Sequence, residues 1–290
     1  YNNQAIFSPY EPGSIFKAIT MAAALDQGKV TPDTTFNDTG VVKIANYEIK
    51  NSDQKAHGIV TMVDVLEQSL NVGAVFAMKK TGEEIFSQYV KNFGFGEKTG
   101  IELETESQGN IKNLILEKNN KELNAATASF GQGIAATPLQ MVFAFGAIAN
   151  GGILMKPYLV KELAKSAGAK MKVEPKEIRR VVSERTSMIL GGMLVNVVEN
   201  GHGKRAGVKG YFVGGKTGTA QIPKKDKRGY EPNAHIGSFA GFAPASDPRF
   251  VMLVRIDRPR DVEWAESSAA PLFGQIAEFL LNYFEVPKER

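Results

Sequence analysis

The 290-residue sequence contains no cysteine and only three histidines. The absence of cysteine excludes disulfide bonds, thiol nucleophiles and thiolate metal ligands. His57, His202 and His235 have no histidine, aspartate or glutamate partner at the spacing of a metal site, so we expect no bound metal. Long apolar runs are also absent, and nothing approaches the roughly 18 residues of a membrane-spanning helix. Because Tyr1 follows neither an initiator methionine nor a signal peptide, we expect the chain to be a fragment.

The composition is that of an ordinary globular protein, with 43% hydrophobic and 23% charged residues. The formal charge of +4 comes from scattered lysines and arginines. The densest basic run, 224–228, lies between proline and glycine residues and has no interleaved aromatic side chains. Single-stranded nucleic acids are commonly bound on such stacking platforms, so we interpret the run as a solvated loop and expect no nucleic-acid partner.

Apolar spacing divides the chain into a helical middle and a later part that contains strands. Helices are predicted at Ser14–Gly28, Val60–Gln68, Val72–Lys80, Phe86–Phe93, Ala125–Ser129, Leu139–Ala149, Ser187–Glu199 and Ala270–Phe284. Strands are predicted at Tyr211–Val213, Gly237–Phe242 and Phe250–Ile256, with short strands and loops over 37–58, an extended piece at Ile101–Leu103 and a loop over 104–121. This order predicts an α+β fold in which a helical region lies beside a helix-covered sheet.

The first chemical motif is Ser14-Ile-Phe-Lys17, at the start of a predicted helix. A spacing of three places both side chains on one helix face, close enough to share a proton. The helix start also offers backbone N–H groups that can polarise an acyl oxygen. A plain helix cap would explain Ser14 equally well. A second match, Ser52 to Lys55, lies in a polar turn, and we interpret it as surface.

Lys-Thr-Gly occurs three times, beginning at Lys80, Lys98 and Lys216. The first follows an apolar helix and is interpreted as a helix stop, and the second as a turn. Lys216 follows Tyr-Phe-Val-Gly-Gly, so it can lie in a strand whose glycines allow a ligand close to the backbone. The segment Gly210–Thr217 also matches a phosphate-binding loop. That loop must open a helix, and the residues after Thr217 are poor helix formers.

Ser69-Leu-Asn71 lies between two predicted helices, where a short connection could turn it toward a cleft. A helix-capping serine is the simpler alternative. The joint occurrence of Ser14, Lys17, Ser69 and Lys216 is the stronger signal, since it requires three distant segments to converge on one acyl-transfer site. Trp264 and the phenylalanine-rich helices are expected in the core.

In these motifs the chain resembles the transpeptidase domain of class B penicillin-binding proteins. Ser129-Phe-Gly-Gln-Gly133 and Thr137-Pro-Leu-Gln140 also match a family signature and are more similar to the septal than to the elongation type. The resemblance implies a penicillin-binding-protein or serine β-lactamase-like fold, with an antiparallel sheet covered by helices. It implies one domain over 1–290, mostly helical over about 18–175 and sheet-containing over 1–17 and 176–290. The active site is expected between these parts.

The resemblance also implies a mechanism on peptidoglycan stem peptides that end in D-Ala-D-Ala. Ser14 would be the nucleophile, Lys17 the base, Ser69 a proton relay, Asn71 a ligand of a substrate amide, and Lys216 a source of positive potential. The substrate-binding residues would be Thr217, Gly218 and Thr219, and the N–H groups of Ser14 and Thr219 would form the oxyanion hole. β-Lactams would acylate Ser14, and no cofactor is implied.

The resemblance further implies a membrane-embedded glycan polymerase and cell-division proteins as partners, on the outer face of the bacterial membrane. Three alternatives stay open at this point. The acceptor could be water, as in a D,D-carboxypeptidase or a β-lactamase, although Glu122-Leu-Asn124 lacks the spacing of a water-activating glutamate motif. The domain could be a β-lactam sensor that acylates without turnover. The third alternative is the nucleotide-binding loop, for which we expect no ATP affinity.

Overall fold

The computed structural model describes residues 2–116, 119–164, 170–224 and 229–290, so most of the basic run at 224–228 lies outside the described residues. The α-helices of the described part are α1 (Gln4–Phe7), α2 (Lys17–Asp26), α3 (Met62–Glu67), α4 (Asn71–Thr81), α5 (Glu83–Asn92), α6 (Lys112–Leu116), α7 (Lys121–Ala128), α8 (Pro138–Ala149), α9 (Glu184–Glu199) and α10 (Ala269–Tyr283). No described helix combines the length and the apolar character needed to cross a membrane.

The strands of the described part form antiparallel pairs and one larger sheet. They are β1 (Thr35–Asp38), β2 (Val41–Ile44), β3 (Tyr47–Lys50), β4 (Gly58–Thr61), β5 (Ile153–Met155), β6 (Glu162–Ala164), β7 (Lys170–Lys172), β8 (Glu177–Arg180), β9 (Gly214–Pro223), β10 (Tyr230–Ala243) and β11 (Phe250–Asp257). The larger sheet has the order β11-β10-β9, and the smaller pairs are β1-β4, β2-β3, β5-β8 and β6-β7. The predicted α+β class is confirmed.

Helix α2 lies at the centre of the larger core. Its sequence, Lys-Ala-Ile-Thr-Met-Ala-Ala-Ala-Leu-Asp, is buried over its first eight residues, so it cannot be an amphipathic surface helix. It packs on α4, α5 and α9. A smaller core lies on the other side of the sheet, where α10 packs against β10 and β11 and the rings of Phe239 and Phe273 lie 4.6 Å apart. Each fully buried side chain of this size contributes about 2–3 kcal/mol to folding.

Several predicted boundaries were wrong. The helix expected to begin at Ser14 opens as a 3₁₀ turn, Gly13–Phe16, and becomes α-helical only at Lys17. Val60 belongs to β4, because it pairs with Phe36 across the sheet. No strand forms at Ile101–Leu103, where the Leu103 N–H instead donates to the Ile101 carbonyl in a tight turn.

Two further predictions were wrong. The predicted loop over 104–121 contains α6 and the start of α7, which the polar composition concealed. The predicted strand Tyr211–Val213 is irregular, and β9 begins only at Gly214. The division into subdomains near residue 175 stays a prediction.

Candidate active site

The turn that contains Ser14 places the serine hydroxyl and the nearest amine on one face. Gly13 has φ +59°, a conformation that favours glycine, and the 3₁₀ turn that follows carries Ser14 to the entrance of a cleft. Lys17 begins α2 and is 1% exposed. Its Nζ lies 2.9 Å from Ser14 Oγ. The predicted proximity of the two side chains is therefore confirmed.

Ser69 brings the second motif to the same point. Its backbone adopts φ 57°, in the left-handed region that non-glycine residues seldom occupy. In this conformation its side-chain oxygen lies 3.1 Å from Lys17 Nζ and 2.9 Å from Lys216 Nζ. Lys17 also donates to the Ser69 carbonyl. Three segments that are distant in sequence thus converge on one hydroxyl.

The two lysines are buried side by side. Burial lowers the pKa of Lys17 well below its ordinary value, and the positive charge of Lys216 lowers it further. Burial also lowers the pKa of Lys216 to about 7, against a small opposing effect of Glu266. Two buried ammonium groups in contact are mutually unfavourable, and Lys17, whose pKa is lowered by burial and by the charge of Lys216, is the one that loses its proton more readily.

Strand β9 forms one wall of the cleft. Lys216 Nζ lies 3.1 Å from the Thr217 carbonyl and 3.3 Å from Thr217 Oγ1. Thr217 and Thr219 line the cleft cavity, and the Thr219 hydroxyl oxygen accepts a hydrogen bond of 2.9 Å from the Ala265 N–H. Neither threonine hydroxyl donates to an acceptor in the described part of the chain, so both protons can be offered to a ligand.

Gly218 is placed differently from these threonines. A side chain built on it would meet Ser238 Oγ at 2.9 Å and the Pro12 carbonyl at 3.0 Å. The missing side chain thus lets β9 lie against the serine turn. The predicted substrate-binding role of Gly218 stays a prediction.

Asn71 lies in a neighbouring part of the cleft, at the start of α4. Its Nδ2 donates to the Lys50 carbonyl at 2.9 Å. Asn51 fixes the same region, since its Oδ1 accepts from the Val72 N–H at 3.1 Å and its Nδ2 donates to Asp38 at 2.7 Å. The segment after β3 is thereby held against the Ser69–Asn71 motif.

Sequence reasoning missed this segment. The pair Ser52 and Lys55 is predicted to lie at the surface in a polar turn, and both residues are indeed exposed. Yet Ser52, Asp53 and His57 line the cleft cavity. Trp264 was expected in the core but is 43% exposed and lines the same cavity. No local pattern signals these positions, because only the tertiary fold brings them to Ser14.

Gly131 links the Ser129–Gly133 segment to the serine turn. Its carbonyl accepts a 3.1 Å hydrogen bond from the Gly13 N–H. Gly131 has φ +81°, and a side chain there would lie 2.2 Å from the Gly13 carbonyl oxygen. This position therefore requires glycine for both conformation and space.

The structure distinguishes the Lys-Thr-Gly triplet at Lys216 from the other two triplets and from a phosphate-binding loop. Thr81 ends α4, and Gly82 with φ +89° stops it. Thr99 and Gly100 form a turn whose N–H groups donate to Glu106. After Thr217 the chain continues as a strand, so the helix that a phosphate-binding loop needs is absent from this described segment. The described residues also contain no cluster of three or more histidines or carboxylates that could hold a metal.

Comparison with known proteins places this geometry in a family. The family model for the penicillin-binding protein transpeptidase domain matches residues 1–278. Stage V sporulation protein D of Bacillus subtilis is 42% identical over 281 residues, which cover 95% of this chain and 43% of that protein. A probable peptidoglycan D,D-transpeptidase FtsI of Caulobacter vibrioides is 32% identical over 303 residues, covering 99% and 49%. The chain thus spans less than half the length of these relatives.

Solved structures agree with this assignment. Penicillin-binding protein 3 of Mycobacterium tuberculosis, in complex with aztreonam, superposes with a TM-score of 0.91 at 31% identity. The superposition covers 100% of this chain and 66% of that one. The predicted fold family is confirmed by this similarity. Because the family model covers nearly the whole sequence, the chain belongs to the penicillin-binding protein transpeptidase domain family.

Proposed function

We propose that the chain is the catalytic domain of a serine D,D-transpeptidase that cross-links peptidoglycan and is acylated by β-lactams. The observation that carries the proposal is the contact of Lys17 Nζ with both Ser14 Oγ and Ser69 Oγ, at 2.9 and 3.1 Å. The names of the relatives, which include a D,D-transpeptidase and a sporulation protein, support both the activity and a septal role.

The first chemical step is acylation of Ser14. Neutral Lys17 takes the hydroxyl proton while Ser14 Oγ attacks the carbonyl carbon of the penultimate D-Ala. The proton then passes from Lys17 through Ser69 Oγ to the leaving nitrogen of the terminal D-Ala. This path is continuous in hydrogen-bonding distance, and the lowered pKa of Lys17, caused by burial and by Lys216, makes it a base near neutral pH.

The donor peptide binds along β9. Thr217 and Thr219 have hydroxyl protons free to donate to its terminal carboxylate, and the charge of Lys216 directly behind them adds positive potential. Asn71 holds an amide of the peptide. Gly218 contributes through its backbone and through its close packing on the serine turn. The N–H groups of Ser14 and Thr219 stabilise the oxyanion of the tetrahedral intermediate.

Mass spectrometry of the intact protein after brief exposure to benzylpenicillin tests the proposal. We expect one adduct that is lost in Ser14→Ala and kept in Ser52→Ala, whose serine lines the same cavity outside the Ser14 motif. Rapid drug hydrolysis without an adduct would favour a β-lactamase. No adduct and no hydrolysis in the wild-type protein would reject the proposal.

Water as the acceptor is the second candidate function. A fast hydrolase needs a carboxylate that activates water next to the acyl-enzyme. Glu122, in the segment considered for that role, forms an ion pair of 2.7 Å with Lys79. Its position on α7, outside the residues that line the cavity around Ser14, argues against Glu122 as that base. Asp53 and Glu266 do line the cavity, so the measured rate of β-lactam hydrolysis decides between the two acceptors.

The cellular setting is part of the proposal. We place the domain on the outer face of the bacterial membrane, with a membrane-embedded glycan polymerase and division proteins as partners bound through other parts of the protein. Fluorescent labelling of the full-length protein tests this setting. Septal fluorescence is expected, and a signal confined to the side wall would contradict it.

A further inference from the structure

The cleft around Ser14 has two branches. A cavity of about 320 Å³ contains Ser14, Ser69 and Thr217 and extends to His202. A second cavity of about 420 Å³ follows β9 past Asn71 and Gln221. Ser52, Thr219 and Trp264 line both. A transpeptidase must bring two peptides to one serine in succession. The terminal D-Ala of the donor lies in the first branch beside Thr217 and leaves when Ser14 is acylated, so this branch is then open to the acceptor.

His202 is held firmly at the wall of the first branch. It follows α9, and its backbone N–H donates to the Glu67 carbonyl at 3.2 Å. The preceding Gly201 packs so closely that a side chain on it would lie 2.5 Å from the same carbonyl. The imidazole itself is partly exposed, and neither ring nitrogen hydrogen bonds to a residue of the described ranges. A fixed backbone thus presents a free imidazole to the cavity.

Four charged groups influence the pKa of this imidazole. Partial burial lowers the pKa of His202, and the positive charges of Lys216 and Lys17 lower it further. Glu266 and Asp53 act in the opposite direction. The imidazole is therefore neutral near pH 7 and can accept a proton. The two carboxylates line the same branch and attract a cation that would otherwise be repelled by the lysines.

We propose that this branch binds the primary amine of the acceptor strand and that His202 removes its proton. The proposal rests on the transpeptidase function proposed above. The acceptor arrives as an ammonium ion, attracted by Asp53 and Glu266. One ammonium proton passes to a ring nitrogen of His202, and the freed nitrogen lone pair attacks the acyl carbon on Ser14.

The remaining atoms balance within the site. The new C–N bond forms as the C–O bond to Ser14 breaks. The second proton lost by the attacking nitrogen passes through the Ser69 and Lys17 pair to Ser14 Oγ, which restores the hydroxyl. His202 then releases its proton to solvent through its exposed face. The step needs no oxidant, reductant or further co-reactant.

The test separates the two half-reactions in His202→Asn. An N-acyl-D-alanyl thioester serves as donor, and glycylglycine or hydroxylamine as acceptor. We expect aminolysis by glycylglycine to fall roughly a hundredfold, the usual size of a general-base contribution, and acylation by benzylpenicillin to fall far less. Hydroxylamine is mostly unprotonated at neutral pH, so the rate of aminolysis by hydroxylamine should fall much less. Equal losses with both acceptors would mean that His202 acts only structurally and would overturn the proposal.

Two further variants complete the test. Asp53→Asn should raise the KM for glycylglycine several-fold and leave that for neutral hydroxylamine nearly unchanged, since only the former is a cation. Lys204→Gln is the matched control, because Lys204 is exposed on the same loop and lines neither branch. If wild-type protein is not acylated, the proposed function itself fails. If it is acylated and His202→Asn retains full aminolysis, only the acceptor site is wrong.

Discussion

Lys17 and Lys216 hydrogen bond to the same oxygen, Ser69 Oγ, at 3.1 and 2.9 Å. Both lysines are almost completely buried, at 1% and 0% exposure. Burying one ammonium group is costly, and burying two within reach of one hydroxyl is more so. Burial of this pair therefore lowers the stability of the fold, and it provides a neutral base next to a cation that is positioned for binding.

Replacing Lys216 with methionine should stabilise the fold and abolish acylation. The pKa of Lys216 is about 7 in the folded protein, which is lower than in the unfolded chain. The folded state therefore binds the ammonium proton of Lys216 more weakly than the unfolded chain does, and protonation destabilises the fold. This loss of folding stability, roughly 3–5 kcal/mol, is largest below pH 7. It disappears as pH rises to the ordinary lysine pKa and beyond. Urea unfolding at pH 6.5 and 9.5 measures it. We expect the stability advantage of Lys216→Met over wild type to be largest at pH 6.5 and to shrink to about 1 kcal/mol at pH 9.5.

Exposed Lys204→Met is the control for that comparison and should show no such pH-dependent gain. A Lys216→Met protein that is less stable than wild type at pH 6.5 would contradict the desolvation argument.

The acylation rate should pass through a maximum with pH. On the acid side the rate falls as the pair takes up a second proton and Lys17 loses its basicity. On the alkaline side it falls as Lys216 loses its charge, with a midpoint near 7 in the free enzyme. Stopped-flow measurement of kcat/KM with a chromogenic β-lactam records both limbs, which belong to the coupled pair. A profile that is flat between pH 5 and 9 would be inconsistent with two interacting lysines.

Gly131→Ala should disrupt the serine turn. Gly28→Ala is its matched control, because both glycines have positive φ, +81° and +61°, but only Gly131 has a neighbour where the methyl group would lie. We expect about 1 kcal/mol of destabilisation for Gly28→Ala. Gly131→Ala should cost several kcal/mol and lower acylation at least tenfold, since the Gly13 backbone must move. Thermal unfolding and fluorescent-penicillin labelling measure the two effects, and equal effects would refute the packing argument.

Asn51→Ala should lower stability and slow acylation, although Asn51 does not hydrogen bond to Ser14. Asn51 is 3% exposed, and its loss leaves the buried Asp38 carboxylate and the Val72 N–H each without one partner. Each lost contact of this kind costs about 1–3 kcal/mol. We expect lower stability and slower acylation, because the Ser69–Asn71 motif loses its support. Ser52→Ala, at the exposed neighbouring position, is the control for stability and should leave the free energy of unfolding nearly unchanged.

The site residues that belong to short sequence motifs could be predicted from the sequence. Ser14, Lys17, Ser69 and Lys216 were expected to converge, and they do. The start of α8 was also predictable, since Thr137 caps it and Pro138 follows. Helix α2 was less so, because it is buried on every side and has no side-chain cap. What the predictable parts share is that the deciding information lies within one short segment.

The remaining parts of the site depend on contacts between segments. Asp53, His57 and His202 reach the cleft only because Asn51 ties one loop to α4 and Glu67 holds another. The start of β9 at Gly214 is likewise set by pairing, since Gly214 is opposite Phe242 in the register with β10. Local conformational propensities do not reveal which distant residues will be partners, so these features could be recognised only in the folded chain.

The left-handed backbone of Ser69 limits what evolution or design can place there. Threonine has the same hydroxyl and would ordinarily count as a mild replacement. Its branched β-carbon, however, is poorly compatible with a φ of 57°, so it would draw the loop back toward an extended conformation. Asparagine tolerates this backbone but has no hydroxyl. Serine is thus the one common side chain that combines a proton-carrying oxygen with tolerance of this conformation.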